Sequence, residues 1–442
     1  MADEQIAVVG AGLSGCLLAT LLARRGLTVT VYERRADPRL VGAERGRSIN
    51  LAVSARGLAA LEQVGLREQS LGRALPMHGR MVHPVEGVQS FRPYSADGRR
   101  AINSISRAEL NHSLLDAAES TPGVTVHFEH RLETLDLDKG RLVFQTADGL
   151  VEHHADVVLA SDGAYSAARQ SITFRPGFTF SQDYLDHGYK ELTIPATDGE
   201  FALDPDALHI WPRGSSMMIA LPNLDRSFTC TLFWPKDELA ALDTSAKVLD
   251  YFRVHYPDVV DLMPELTDDY AHNPVGSLVT VRCWPWVHTG DGATLALVGD
   301  AAHAIVPFFG QGANCAFEDT IEIDRCLDET GGDWSRALAV YEQRRKANCD
   351  AIAQMALENF VEMRDKVNSR AFQAKTAAQH ALERRLAGRY VSRYELVSFT
   401  TVPYAEIAGR MRRQNALSAA AVVALVTVGA SVVRAVRRGR RG

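Results

Sequence analysis

Gly10-Ala-Gly-Leu-Ser-Gly15 stands between the apolar run Gln5-Ile-Ala-Val-Val9 and the stretch Leu13 to Arg25, where apolar residues recur at helical spacing. A second β-rich run, Thr28-Val-Thr-Val-Tyr32, follows and ends at Glu33. Strand, glycine turn, helix and strand within about 30 residues predict a βαβ unit. Gly10, Gly12 and Gly15 then have separate tasks: a tight turn, close approach of a pyrophosphate, and close packing of helix on strand. The free N–H groups and positive dipole end of the helix face the phosphates. Glu33 is placed to accept hydrogen bonds from an adenosine ribose. The fingerprint fits NAD and FAD equally.

Two later motifs separate these cofactors. Leu159-Ala-Ser-Asp-Gly-Ala-Tyr-Ser-Ala-Ala-Arg169 reads as a strand running into an Asp-Gly turn and a helix start, with Asp162 at the turn. Leu297-Val-Gly-Asp-Ala-Ala-His303 is a strand ending in Gly299-Asp300, and Pro307-Phe-Phe-Gly-Gln-Gly-Ala-Asn314 follows it closely. Asp300 can reach ribityl hydroxyls. Gly310 and Gly312 let backbone approach a flat ring, and a helix starting near Ala313 and Asn314 offers N–H groups to a reduced isoalloxazine. FAD is the cofactor that uses all these parts. No second glycine fingerprint follows a strand, so a dinucleotide reductant is expected to dock transiently.

The rest of the chain supplies the fold class. The first half is mixed α/β, Phe174 to Val281 carries alternating segments that suit an antiparallel sheet, and helical periodicity dominates from Asn314 to about Arg389. We therefore expect an α/β protein: a Rossmann-like FAD-binding domain (1–173 and 286–330) interrupted by a β-rich substrate domain (174–285), then a helical region (331–415) and an apolar helix with a basic tail (416–442). The net charge is −6 despite five arginines in the last nine residues, so the body is acidic and nucleic acid is an improbable partner. Six cysteines without CxxC spacing suggest free thiols in a reducing compartment and no metal site.

In their order and spacing these motifs resemble the flavin-dependent aromatic hydroxylases of the para-hydroxybenzoate hydroxylase type. Within that family the likeness is greatest to the kynurenine-hydroxylating branch. It is carried by Arg45 to Ser54, Pro76 to His83, Ser104 to Arg107, Leu208 to Arg213, Met217 to Pro222, Phe228 to Phe233 and the Pro307 motif. The resemblance implies FAD, NADPH as co-substrate, O2, and L-kynurenine as the small molecule hydroxylated. It also implies that Arg107 joins the cofactor site, that Arg80 grips the substrate carboxylate, and that Tyr94, Tyr394 and Asn359 orient it. Phe233, Met217 or Met218, Pro307 and Phe308 would wall the aromatic ring. No general base is evident, and His303 reads as structural. The chain departs from the family at Gln311-Gly-Ala-Asn-Cys-Ala316, where relatives usually carry Gln-Gly-Met-Asn-Ala-Gly.

Asp3 and Glu4 stand where a cleavable leader would need basic residues, which suggests the cytoplasmic side of a membrane. Ala416 to Val433 is uncharged and flanked by arginines; as a helix it would measure about 27 Å, near the roughly 30 Å of a bilayer core. Membrane attachment is the expectation, with a helix packed on the body as the alternative. The competing functional readings are a hydroxylase acting on another aromatic acid and a membrane-associated flavoprotein that does not hydroxylate. A flavin halogenase is disfavoured, because His288 and Thr289 stand where its WxWxIP signature needs Ile and Pro.

Overall fold

The computed structural model describes residues 4–41, 50–95, 97–362 and 390–417. Its architecture is α/β. Six strands form one sheet in the order Val287–Thr289, Thr294–Leu297, Val157–Ala160, Ile6–Val9, Val29–Tyr32, Val124–His127; all pair in parallel except the first. Ile6–Val9 and Val157–Ala160 are buried throughout. Both faces of such a parallel sheet are covered, which explains apolar runs without alternation. The helix Leu13–Arg24 packs against this sheet and buries Gly15 through Ala23.

A second sheet has seven strands, in the order Gly276–Trp284, Thr179–Ile194, Phe228–Pro235, Ser216–Pro222, Ala207–Arg213, Gly79–Val82, Ser90–Pro93. It therefore draws strands from outside 174–285. Gly79–Val82 pairs in parallel with Ala207–Arg213, setting Arg80 opposite Leu208, and antiparallel with Ser90–Pro93, setting Arg80 opposite Arg92. Alternation sorts its side chains: Met217 and Phe233 are cross-strand partners in the main core, while Met218 and Leu232 belong to a separate core on the other face. That second core is completed by the helices Lys236–Ala241, Ser245–His255 and Leu266–His272, which a purely β-rich reading of this stretch misses. Of the two methionines expected at the ring wall, Met217 is the one on the face packed in the main core with Phe233 and Phe308.

The helical region begins with two helices, Gly312–Thr330 and Trp334–Val361, separated where Gly331 takes a left-handed conformation (φ 67°). Residues 363–389, within the predicted helical stretch, and 418–442, which hold most of the apolar tail, lie outside the described residues. Among the described residues, no helix is long and apolar enough to cross a membrane.

Candidate active site

The dinucleotide motifs converge at the carboxyl ends of the parallel strands, where open α/β sheets bind ligands. Gly10 follows Ile6–Val9 at φ 102°; a methyl there would come within 2.5 Å of the Ser161 carbonyl oxygen. A methyl on Gly15 would collide with the carbonyl of Gly10. Gly12, in contrast, faces open space, as a pyrophosphate cradle requires. Glu33 accepts hydrogen bonds from the backbone N–H of Ala11 (2.9 Å) and of Arg35 (3.0 Å), tying the glycine turn to the end of the second strand. Ser14 and Ser161 hydroxyls meet at 2.6 Å and join the first motif to the second.

Asp162 accepts from the Ala168 N–H through Oδ2 (3.1 Å), but its buried Oδ1 has no partner. Burial raises the pKa of this carboxyl above the usual Asp range. Asp300 is exposed at the first position of the helix Asp300–His303, whose N-cap is Gly299, so its side chain is not spent on capping. Gly310 is left-handed (φ 63°) and packs against Ala52, while Gly312 and the half-buried Ala313 open the helix Gly312–Thr330. No side chain caps this helix or Leu13–Arg24. Arg107 is exposed at the start of Arg107–Glu119, where Ser106 caps the N-terminus.

Asn314, whose N–H is expected at the helix start facing the cofactor, commits its side chain to the surrounding loops. Its Oδ1 accepts from the Ser54 N–H (3.0 Å), and its Nδ2 donates to the carbonyls of Ala52 (3.0 Å) and Gly310 (2.8 Å). The amide shapes the Gly310 loop from behind. Gln311, absent from the predicted set, accepts from the Tyr404 hydroxyl (2.9 Å), yet its buried Nε2 lacks a partner. An open Gly12, partnerless polar atoms on Asp162 and Gln311, and two uncapped helix starts fit the phosphates, hydroxyls and ring of FAD.

Arg80, Tyr94 and Tyr394 come together on the other side of the Pro307–Phe309 turn. The Arg80 guanidinium lies 4.6 Å from the Tyr394 ring centre and 5.7 Å from that of Tyr94, and the two phenol rings stack at 4.8 Å. Neither Arg80 Nε nor the Tyr94 hydroxyl, both buried, has a hydrogen-bond partner. Burial, reinforced by Tyr394, pushes the Tyr94 phenol well above 10, so it remains a proton donor. A half-buried guanidinium with a partnerless Nε beside a buried phenol suits an anionic group.

The wall is aromatic. Phe308 lies 4.9 Å from Phe233 and stacks on Phe360 at 4.2 Å, and Phe309 stacks on Tyr394 at 5.7 Å. Pro307 is exposed at the head of the turn. Asn359 donates to the Phe308 carbonyl at 2.6 Å, so it also braces the turn. Phe309, Phe360 and Phe399, the last packed obliquely on Tyr94 at 6.2 Å, extend this aromatic cluster beyond the residues expected from sequence. Phe309 stood inside the Pro307 motif; Phe360 and Phe399 gave no signal apart from apolarity. A separate cavity of about 440 Å³, lined by Tyr32, His127, His153 and His154 among others, shares no residue with either site.

His303 is buried beneath the cofactor motifs, with Nε2 2.5 Å from Asp319 Oδ2. Asp319 also accepts from the Gly299 N–H (3.0 Å) and from Arg345 Nε (2.7 Å). Burial opposes charge on His303, but Asp319 outweighs it and raises the pKa to about 9. The imidazolium is therefore held in an ion pair and is not free to act as a base.

Residues 3–245 and 281–356 match the family described as FAD binding domain. The chain is 49% identical to a kynurenine 3-monooxygenase of Myxococcus xanthus over 91% of its own length and 87% of the relative's. It is 44% identical to that of Dictyostelium discoideum (91% and 90% covered) and 41% to that of Sus scrofa (93% and 87%). Among solved structures, the tetrameric form of 2-methyl-3-hydroxypyridine-5-carboxylic acid oxygenase superposes with a TM-score of 0.68 at 22% identity, covering 87% of this chain and 96% of that one. This last likeness concerns the fold.

Proposed function

The chain belongs to the kynurenine 3-monooxygenase family of FAD-dependent hydroxylases, and on that premise we propose that Arg80 anchors the carboxylate of L-kynurenine while the Phe308 wall presents its ring for hydroxylation. The observation that carries the assignment of Arg80 is its buried Nε, without a partner, beside two phenols stacked on each other. A planar guanidinium suits a carboxylate through paired, charge-assisted hydrogen bonds. Tyr94, held protonated, adds a donor to the same anion, and Tyr394 fixes the guanidinium plane from beneath.

FAD, reduced by NADPH, supplies the activation of O2 and the transfer of one oxygen atom to the ring carbon ortho to the amine, giving 3-hydroxykynurenine and water. Gly10, Gly12 and Gly15 would take its pyrophosphate, Glu33 the adenosine ribose, Asp162 and Asp300 its hydroxyls, and the backbone from Gly310 to Asn314 its ring. Arg107 borders the cofactor site. The protein's contribution to the reaction is orientation and exclusion of water: Phe233, Met217, Phe308 and Phe309 form a dry face, and Arg80 sets the distance of the ring from its anchored end. The aniline nitrogen activates its own ring, so no residue need remove a proton before oxygen transfer.

Incubation with kynurenine, NADPH and air, followed by mass and retention analysis, should yield 3-hydroxykynurenine; absence of product, or turnover of a phenolic acid instead, would refute the substrate assignment. For 416–442 we propose attachment to a membrane surface, supported by the apolar run between arginine clusters. Complete release of the protein from isolated membranes by a carbonate wash would overturn it.

A further inference from the structure

Cys315 and Cys349, expected from sequence as free thiols, face each other in the ion-pair network beneath the cofactor motifs. Cys315 lies in the first turn of Gly312–Thr330 and Cys349 midway along Trp334–Val361; both are 1% exposed, with sulfurs 3.6 Å apart. Arg345 reaches both, its NH2 lying 3.2 Å from Cys315 Sγ and 3.7 Å from Cys349 Sγ, while its Nε holds Asp319. The other four cysteines lack this setting. Burial pushes Cys16, Cys230, Cys283 and Cys326 upward, Cys283 to about 12 and Cys326 to about 11. Cys315 moves the other way, lowered first by the Cys349 S–H and then by Arg345 and His303.

We propose that Cys315 and Cys349 are a redox-active dithiol, oxidised to a disulfide by hydrogen peroxide. The Cys315 thiolate attacks one peroxide oxygen; the O–O bond breaks, hydroxide leaves and takes up a proton as water, and Cys315 becomes a sulfenic acid. The Cys349 sulfur, losing its proton, then attacks Cys315 and expels the hydroxyl as a second water. Two thiols and one peroxide become one disulfide and two waters, with two electrons passing from sulfur to oxygen. Closing the pair to a bond of about 2.05 Å needs movement of about 1.5 Å, within the reach of side-chain rotation and a small helix shift.

His303, Cys315 and Cys349 also place their ligand atoms within 4.8 Å of one another. A metal dication is the poorer occupant, because Arg345 already donates its positive charge to both sulfurs and to Asp319. The disulfide has a structural consequence. Cys315 N–H bonds the Gln311 carbonyl (2.8 Å), and the Arg345–Asp319 pair holds the Gly299 N–H, so oxidation pulls on both cofactor-facing loops at once. A flavoprotein that releases peroxide when oxygen is consumed without hydroxylation would thus slow its own wasted turnover.

The test uses the FAD-loaded enzyme, treated with hydrogen peroxide or run with NADPH and air in the absence of kynurenine, with and without catalase. Thiols titrated after denaturation should fall from six to four, and peptide mapping should find the Cys315 and Cys349 peptides joined and lighter by two hydrogens. Dithiothreitol should restore both thiols and the activity lost. Cys349→Ser should stop at a sulfenic acid trapped by dimedone on Cys315, and catalase should protect in the NADPH arm. Full alkylation of both cysteines after peroxide, or linkage of other cysteines, would overturn the dithiol; failure of catalase to protect would overturn its coupling to turnover. Stoichiometric zinc in the purified enzyme would replace it by the metal reading.

Discussion

The proposed cofactor cradle and the proposed substrate chamber meet at the Pro307–Phe309 turn but are built in opposite ways. Much of the cradle is local: glycines and acids stand at or just beyond strand ends, as Gly10 follows Val9 and Asp162 follows Ala160 by two. The chamber draws Arg80, Tyr94, Met217, Phe233, Phe308, Asn359 and Tyr394 from distant segments, so it exists only after two sheets and the helical region have packed. Backbone geometry sustains the cradle, and side-chain chemistry sustains the chamber. Mutations should therefore separate flavin binding from substrate binding.

The largest effect is expected at Gly15. A side chain there meets backbone, which cannot rotate away, so Gly15→Val should abolish flavin binding, seen as loss of visible flavin absorbance in the purified protein. Retention of a full flavin complement would break the comparison from the cradle side. Next comes Arg80→Ala, which should keep the yellow flavin yet weaken kynurenine binding at least about tenfold, or about 1.4 kcal/mol, measured by titration. Unchanged affinity would remove Arg80 from the chamber. Tyr94→Phe keeps the ring stack and deletes one donor; a loss of about 1 kcal/mol in kynurenine affinity, with flavin content intact, is the expected result.

The smallest effect sharpens the comparison by probing the support beneath both regions. Because the folded pKa of His303, about 9, lies above its ordinary 6.5, the His303–Asp319 pair contributes stability fully below about pH 6.5 and loses it as pH rises through about 9. Melting temperature should decline across that window, and His303→Gln should flatten the decline. An identical decline in the variant would show that the alkaline loss arises elsewhere.

Legibility followed the same division. The glycine turns, Glu33 and the Asp162 and Asp300 positions could be located from residues alone, because short-range sterics demand glycine where φ is positive or backbones nearly touch. Nothing local reveals that the Asn314 side-chain amide spans back to Ala52 and Ser54. The helices covering the seven-stranded sheet were obscured by the β-rich runs around them, and the choice between Met217 and Met218 depended on which sheet face met the cofactor domain. Arg80 had no local mark distinguishing it from a surface arginine; family resemblance alone singled it out.

By itself the sequence determined the cofactor, because a dinucleotide fold writes its requirements into contiguous strand ends and turns. Tertiary structure decided which side chains confront one another: the guanidinium beside the stacked phenols, the aromatic cluster, and two cysteines brought sulfur to sulfur across 34 residues. Those juxtapositions arise from packing between separate elements, and no local backbone rule encodes them.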